Sequence, residues 1–335
     1  MMKKASYYKP LPDNRVQCLL CPHHCKLSNG KKGICLTREN QNGVLYSTNY
    51  FRPVSIAIDP VEKKPLYHFY PGSTVFSTGP NGCTLKCAFC QNYEISQNIL
   101  SVPEIPMDIL VKRIITSGSK GIAYTYSEPY IWFETIMDIH KHLQDSDMKA
   151  VMVTNGFMED RPLGELLRFI DAMNVDIKSI NPRFYKKLCK GNLRPVLDTC
   201  ETVVKHCHLE ITNLLIPGEN DSEKDIMDLV NYIATYLGKN IPLHISRYFP
   251  RYKMFNKATP EISLNKAWEI AREKLDYVYI GNIYADNKSN TYCPSCHTLL
   301  IKRNGYSINI SDSLGKDSHG KSICVKCRFE LNIVI

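Results

Sequence analysis

All but three of the fourteen cysteines in this 335-residue chain fall into three tight groups, and that spacing limits the folds open to it. Cys18, Cys21, Cys25 and Cys35 form the first group. Cys83, Cys87 and Cys90 form the second, and Cys293, Cys296, Cys324 and Cys327 the third. Cys189, Cys200 and Cys207 stand apart. A disulfide scaffold is a short chain with a much higher cysteine share, so these groups read as metal ligands in a reducing compartment. The start, MMKKASYYKPLPDNR, carries basic residues but no apolar stretch. No apolar run reaches membrane-span length either, so a cytoplasmic protein without a membrane segment is expected.

With 44% hydrophobic residues the chain can bury a large core, and its length allows two or three domains. Residues 1–70 read as a cysteine-rich extension with short strands at 43–50 and 54–58. From Gly72 onward, apolar strand candidates alternate with amphipathic helices, the pattern of a parallel α/β sheet. The strands are expected at 74–79, 121–126, 150–155, 175–179, 209–216, 242–248 and 276–282. The helices are expected at 107–117, 129–144, 162–172, 195–206, 222–237 and 261–274. That gives six β/α units and one further strand within 71–290. Residues 291–335 form a last, cysteine-rich module.

The second cysteine group has the spacing C-x3-C-x2-C and lies on the loop leaving the first strand of the alternation. Three thiolates this close can hold three irons of a cubane and leave the fourth iron open. A zinc knuckle normally closes with a fourth protein ligand, and none lies beside the loop.

This loop resembles the C-x3-C-x-aromatic-C motif of the radical S-adenosylmethionine (SAM) superfamily, with Phe89 at the aromatic position. Further segments are similar to the AmmeMemoRadiSam-system radical SAM enzymes, relatives of pyruvate formate-lyase activating enzyme. They include CLLCPHHCKLSNGKKGIC, KPLYHFYPGS, YTYSEPYIW, VTNGF, DIKS, LLIPGEND, PLHISRYFPRYKM and YVYIGN. The resemblance implies a partial (β/α)6 barrel. It also implies a [4Fe–4S] cluster on Cys83, Cys87 and Cys90 that cleaves SAM reductively to a 5′-deoxyadenosyl radical. That radical takes hydrogen from a small molecule or a partner-protein residue. The substrate and its catalytic residues stay unassigned.

Roles carry over by position. Phe89 packs near the adenine. Glu128, in Tyr126-Ser127-Glu128-Pro129, stands where the superfamily holds the SAM amino group, although the two glycines that usually precede it are missing. Asn155 is a ribose contact or simply the residue of an Asn-Gly turn. Asp176 and Lys178 alternate onto one face and contact SAM or form a structural ion pair. His244 corresponds to a histidine near SAM. Arg247 and Lys253 follow it as candidates for a substrate carboxylate or phosphate. In LLIPGEND, Asp221 or Ser222 suits a helix N-cap.

The third group, two C-x2-C knuckles on a strand-rich tail, reads as a zinc ribbon, with rubredoxin-like iron as the alternative. The first group suits zinc or an auxiliary Fe–S cluster, zinc being preferred; His23 and His24 are within reach as alternative ligands but read first as a solvated pair. Gly315–Ser322 matches the pattern of a phosphate-binding loop, but its place inside the ribbon argues for a hairpin tip. The formal charge of +9 falls to about +4 once the metal-bound thiolates are counted, which argues against a nucleic-acid partner. The resemblance implies a flavodoxin- or ferredoxin-type electron donor and, as candidate partners, Memo-type and AMMECR-type proteins; the chain itself is expected to be a monomer. Two rival functions are a glycyl-radical-enzyme activase and a zinc-dependent nucleic-acid-binding protein.

Overall fold

The computed structural model describes residues 2–283 and 287–335. Among these, eight strands form one sheet: β1 (Pro53–Pro60), β2 (Thr74–Pro80), β3 (Gly121–Tyr124), β4 (Lys149–Thr154), β5 (Ala172–Asp176), β6 (His208–Leu215), β7 (Leu243–Arg247) and β8 (Val278–Gly281). They lie side by side in chain order. Strands β2 to β8 are parallel, and each pair is joined by a crossover, as the alternation predicts. The crossover helices are α1 (Met107–Ile115), α2 (Phe133–Leu143), α3 (Asp160–Leu166), α4 (Arg194–Val203), α5 (Glu223–Tyr232) and α6 (Glu261–Arg272). No helix among the described residues is long and apolar enough to cross a membrane.

The local reasons are visible in the sequence. Strand β3 is buried at every position, because a parallel strand is covered on both faces. Helix α2 buries Phe133, Ile136, Ile139, His140 and Leu143, one stripe at helical spacing. Ser222, one of the two cap candidates, accepts the Asp225 amide and starts α5. Strand β1 was read as part of the N-terminal extension, yet it pairs antiparallel along β2 and extends the barrel sheet. Its alternation betrays a half-exposed strand but not its partner.

The sheet curves into an open barrel whose interior is partly polar. The segment from Val61 to Gly72 passes through it. The Asn174 side chain donates to the Pro65 carbonyl, and Glu210 accepts from the Tyr67 and His68 amides. His68 in turn receives the C-terminal tail: the Val334 amide donates to its carbonyl. Its ring contacts the Asn332 carbonyl and the Tyr279 hydroxyl. Arg303 donates to the Tyr67 carbonyl and to Thr291. The last module is thereby locked onto the barrel.

Glu210, fully buried, is the centre of this network, since His208 and His244 also bond its two oxygens, at 3.0 and 2.6 Å. Burial alone would raise its carboxyl, but the bonds from the two histidines outweigh it and hold the group well below the ordinary carboxylate range. The stability it lends is therefore full above the ordinary value of 4.5 and drains as pH falls through the depressed folded value. Glu210→Ala should cost about 3–5 kcal/mol at neutral pH by orphaning these donors. The check is a lower urea midpoint with an unchanged slope.

Candidate active site at the strand C-terminal ends

The loop after β2 begins with a close approach of two backbones. A Cβ at Gly79 would sit 1.9 Å from the Thr125 carbonyl oxygen, so only glycine lets β2 leave the sheet beside the β3 end. The loop is then fixed from outside. Lys86 and Ala88 amides donate to the Cys189 and Leu188 carbonyls, and the Lys253 amide donates to Ala88. Cys83, Cys87 and Cys90 all face one cavity of about 540 Å³. Cys83 Sγ receives the Leu85 amide at 3.4 Å and the Asn155 side-chain amide at 3.5 Å. Cys90 Sγ meets Ser96 Oγ at 3.1 Å. Desolvation raises both thiols, and Cys189 together with burial raises Cys87. The nearby Lys86 ammonium is buried with no hydrogen-bond partner. A donor-rich set of three thiols beside an unpaired cation fits an anionic thiolate-bound cluster, which would supply the missing charge.

Opposite the loop, Glu128 is buried at the base of the Pro129–Trp132 turn, which it caps. It accepts the Tyr130 amide at 3.1 Å, Thr154 Oγ1 at 2.7 Å and the Asn155 amide at 2.9 Å. Burial outweighs these bonds and pushes its carboxyl up to about 7. Asn155 serves the Asn-Gly turn and also ties that turn to the cysteine loop. Its Oδ1 accepts the Phe157 amide across the Asn-Gly turn, and its Nδ2 reaches Cys83 and Thr84. Asp176 ends β5, and its Oδ2 lies 3.0 Å from Lys178 Nζ. Phe89 is buried, 5.6 Å from the Phe184 ring. Glu128, Asn155, Asp176, Lys178 and Phe89 all line the cavity together with the three cysteines.

His244 is placed elsewhere. It is the second residue of β7, toward the N-terminal end of the strand, and the cavity opens at the other end. Its ring is held by Glu210 and packs on Tyr67. Arg247 is occupied by the Thr259 carbonyl and the Phe249 ring, and Lys253 lies over Tyr252.

Sequence reasoning passed over Lys63 and Lys64, which form the cavity wall facing the barrel interior. Asp59 accepts Lys63 Nζ at 2.8 Å, Lys64 Nζ at 2.7 Å and the Tyr126 hydroxyl at 2.9 Å. Tyr126 holds a left-handed φ of 72°. The doubled lysine Lys63-Lys64, just ahead of Pro65 at the start of KPLYHFYPGS, was the available signal.

The C-terminal cysteines converge. Cys293 and Cys327 sulfurs are 3.5 Å apart, Cys296 and Cys324 sulfurs 3.6 Å, and all four lie within 4.8 Å of one another. The two knuckles repeat one backbone form: His297 and Arg328, each just after the second cysteine, take φ of 57° and 65°. Hydrogen bonds from Thr298 lower the Cys296 thiol to about 6, toward the thiolate a metal needs. Gly315–Ser322 spans an antiparallel hairpin of Leu314–Lys316 and Ser322–Cys324, with a strand where a phosphate loop requires a helix.

Comparison with known proteins adds the following. The sequence profile of the Radical SAM superfamily matches residues 78–230. An uncharacterised protein of Methanocaldococcus jannaschii is 41% identical over 340 residues, covering 100% of both chains. The 4-hydroxyphenylacetate decarboxylase activating enzyme of Clostridium scatologenes is 24% identical, over 62% of this chain and 68% of its own. Among solved structures, a radical SAM methyltransferase from Sphaerobacter thermophilus superposes with a TM-score of 0.50 at 17% identity. That match covers 63% of this chain and 67% of the other, and it bears on the fold.

The Glu128 carboxyl should be protonated in mildly acidic solution and ionise near neutrality. An infrared titration should show a carboxylic acid band that fades as pH rises through about 7. Glu128→Gln should lack that band.

Proposed function

We propose that this chain, which belongs to the radical SAM superfamily and is related to glycyl-radical-enzyme activating enzymes, uses a [4Fe–4S] cluster and SAM to generate a radical that takes hydrogen from a small, anionic substrate. The observation that carries this reading is the convergence of three cysteines, Glu128, Asp176 and Lys178 on one cavity at the strand ends. When bound, a cluster with one open iron supplies the electron that cleaves SAM to methionine and a 5′-deoxyadenosyl radical. Cys83, Cys87 and Cys90 would hold it. Asn155 steadies the loop by donating to Cys83 and Thr84.

SAM carries an ammonium, a carboxylate and a sulfonium, so its pocket needs both signs of charge. Glu128, braced by three donors, is set to accept the ammonium in its ionised form. Lys178 is set to bind the carboxylate. Burial would lower its ammonium, but Asp176 and the nearby thiols outweigh that and keep it charged. Asp176 and Phe89 complete the ribose and adenine side. Across the cavity, Lys63 and Lys64 share the single carboxylate of Asp59, which leaves one positive charge for a substrate carboxylate or phosphate. A cavity of 540 Å³ that also takes the cluster and SAM suits a small substrate or one side chain of a partner.

The relation to activating enzymes supports an external one-electron donor of flavodoxin or ferredoxin type. The matching segments support Memo-type and AMMECR-type proteins as partners to assay. None of the fourteen cysteines is paired in a disulfide, which suits a reducing compartment such as the cytoplasm. The compact C-terminal tetrad supports structural zinc, holding a tail whose own core is small.

Lys178→Ala should keep the cluster and lose roughly 30-fold or more in SAM affinity, the size expected when one partner of a desolvated charged contact goes. Anaerobic SAM titration, followed by the EPR spectrum of the reduced cluster, measures it. Unchanged affinity would remove Lys178 from the SAM site. Cys324→Ser with Cys327→Ser should lose one zinc per chain and leave iron and sulfide unchanged by metal analysis. Loss of iron instead would overturn the zinc assignment.

A further inference from the structure

The N-terminal cysteines enclose a site of their own. Cys18 ends the strand Arg15–Cys18, and Cys21, Cys25 and Cys35 return to it from the turns that follow. All four line one small enclosed cavity with Arg38. Arg38 is 1% exposed. Its Nη2 donates to Glu134 Oε2 at 2.7 Å, while its Nε and Nη1 are buried without a partner. The Lys86 ammonium, on the loop that carries Cys83, Cys87 and Cys90, is likewise buried without a hydrogen-bond partner. Unpartnered guanidinium donors beside four thiols favour an anion there. Metal-bound thiolates are such an anion.

Spacing discriminates between one ion and a cluster. A single tetrahedral ion draws four sulfurs together, as the C-terminal tetrad shows. Among the described residues, that tetrad is the one group of three or more His, Cys, Asp or Glu ligand atoms lying within 4.8 Å of one another. No three of the N-terminal four bring their sulfurs within that distance of one another, and neither do Cys83, Cys87 and Cys90. A cubane spreads its thiolates because each sulfur binds a different iron.

We infer that Cys18, Cys21, Cys25 and Cys35 bind a second [4Fe–4S] cluster, with Arg38 and Lys86 balancing its charge, in place of the zinc that the sequence favoured. The two cysteine loops touch. A Cβ at Gly82 would sit 2.3 Å from the Cys35 carbonyl oxygen, which is why glycine at a φ of 100° precedes Cys83. The His23 ring lies 2.8 Å from the Thr84 carbonyl oxygen, so His23 is spent on the loop instead of on a metal.

The site stands apart from the SAM reading, and one preparation separates the two. The full chain, purified and reconstituted anaerobically with iron and sulfide, should carry roughly eight irons and eight sulfides, two cubanes' worth. On reduction, one EPR signal should respond to added SAM and one should not. Cys83→Ala with Cys87→Ala and Cys90→Ala should keep roughly four irons and the SAM-insensitive signal. Iron for a single cluster beside two zincs in the wild type would overturn the second cluster, as would an iron-free triple variant that holds zinc. The wild-type count decides alone if the triple variant does not fold. If neither signal responds to SAM while both clusters are present, the SAM reading fails and the second cluster stands.

Discussion

One buried carboxylate sets the architecture. Glu210 sits inside an open barrel and accepts from two backbone amides of the segment running from Val61 to Gly72 and from two histidines. The irregular segment inside the barrel brings backbone donors of its own, which are expensive to bury unpaired. Glu210 and Asn174 on the strands supply their partners and those of its carbonyls. The same segment fixes Lys63 and Lys64 against the cavity and gives the C-terminal tail its docking line through His68.

Charge follows from this packing. The cavity at the strand ends is lined by groups that are each costly to bury alone: three thiols, Glu128, the Asp176–Lys178 pair and the Asp59–Lys63–Lys64 set. Ion pairs settle some of the cost within the chain. Lys86 and Arg38 are left with unmatched buried nitrogens. Both lie beside cysteines, on or against the loop from Gly82 to Cys90.

The fold was largely legible. Periodicity located six of the seven parallel strands closely, because a parallel strand buried on both faces reads as an apolar run and an amphipathic helix as a stripe. The fourth lies earlier than expected: β5 is Ala172–Asp176 where 175–179 was expected, and the helix expected over 162–172 ends at Leu166, since the polar Asn174 interrupts the apolar run that would mark the start of the strand. Strand β1 was seen but assigned to the wrong neighbour, since alternation records exposure and not pairing. Glu128, Asn155, Asp176, Lys178 and Phe89 were legible as cavity residues because each follows or ends a parallel strand. His244 was misplaced: it lies on the right strand but at its other end, where Glu210 takes its ring. Lys63 and Lys64 went unread because they precede the barrel's parallel strands and reach the site by threading back inside it.

The sequence by itself determined the three cysteine groups and the alternation of strands and helices that carries the second of them to a strand end, since cysteine spacing and hydrophobic periodicity are local properties. Only the tertiary structure decided what each charge faces. Whether a lysine meets Asp59, whether a histidine meets Glu210, and whether four thiols converge to the width of an ion or stand wider apart depend on distances between segments far apart in the chain. Those distances are set by how the core packs, and no local pattern encodes them.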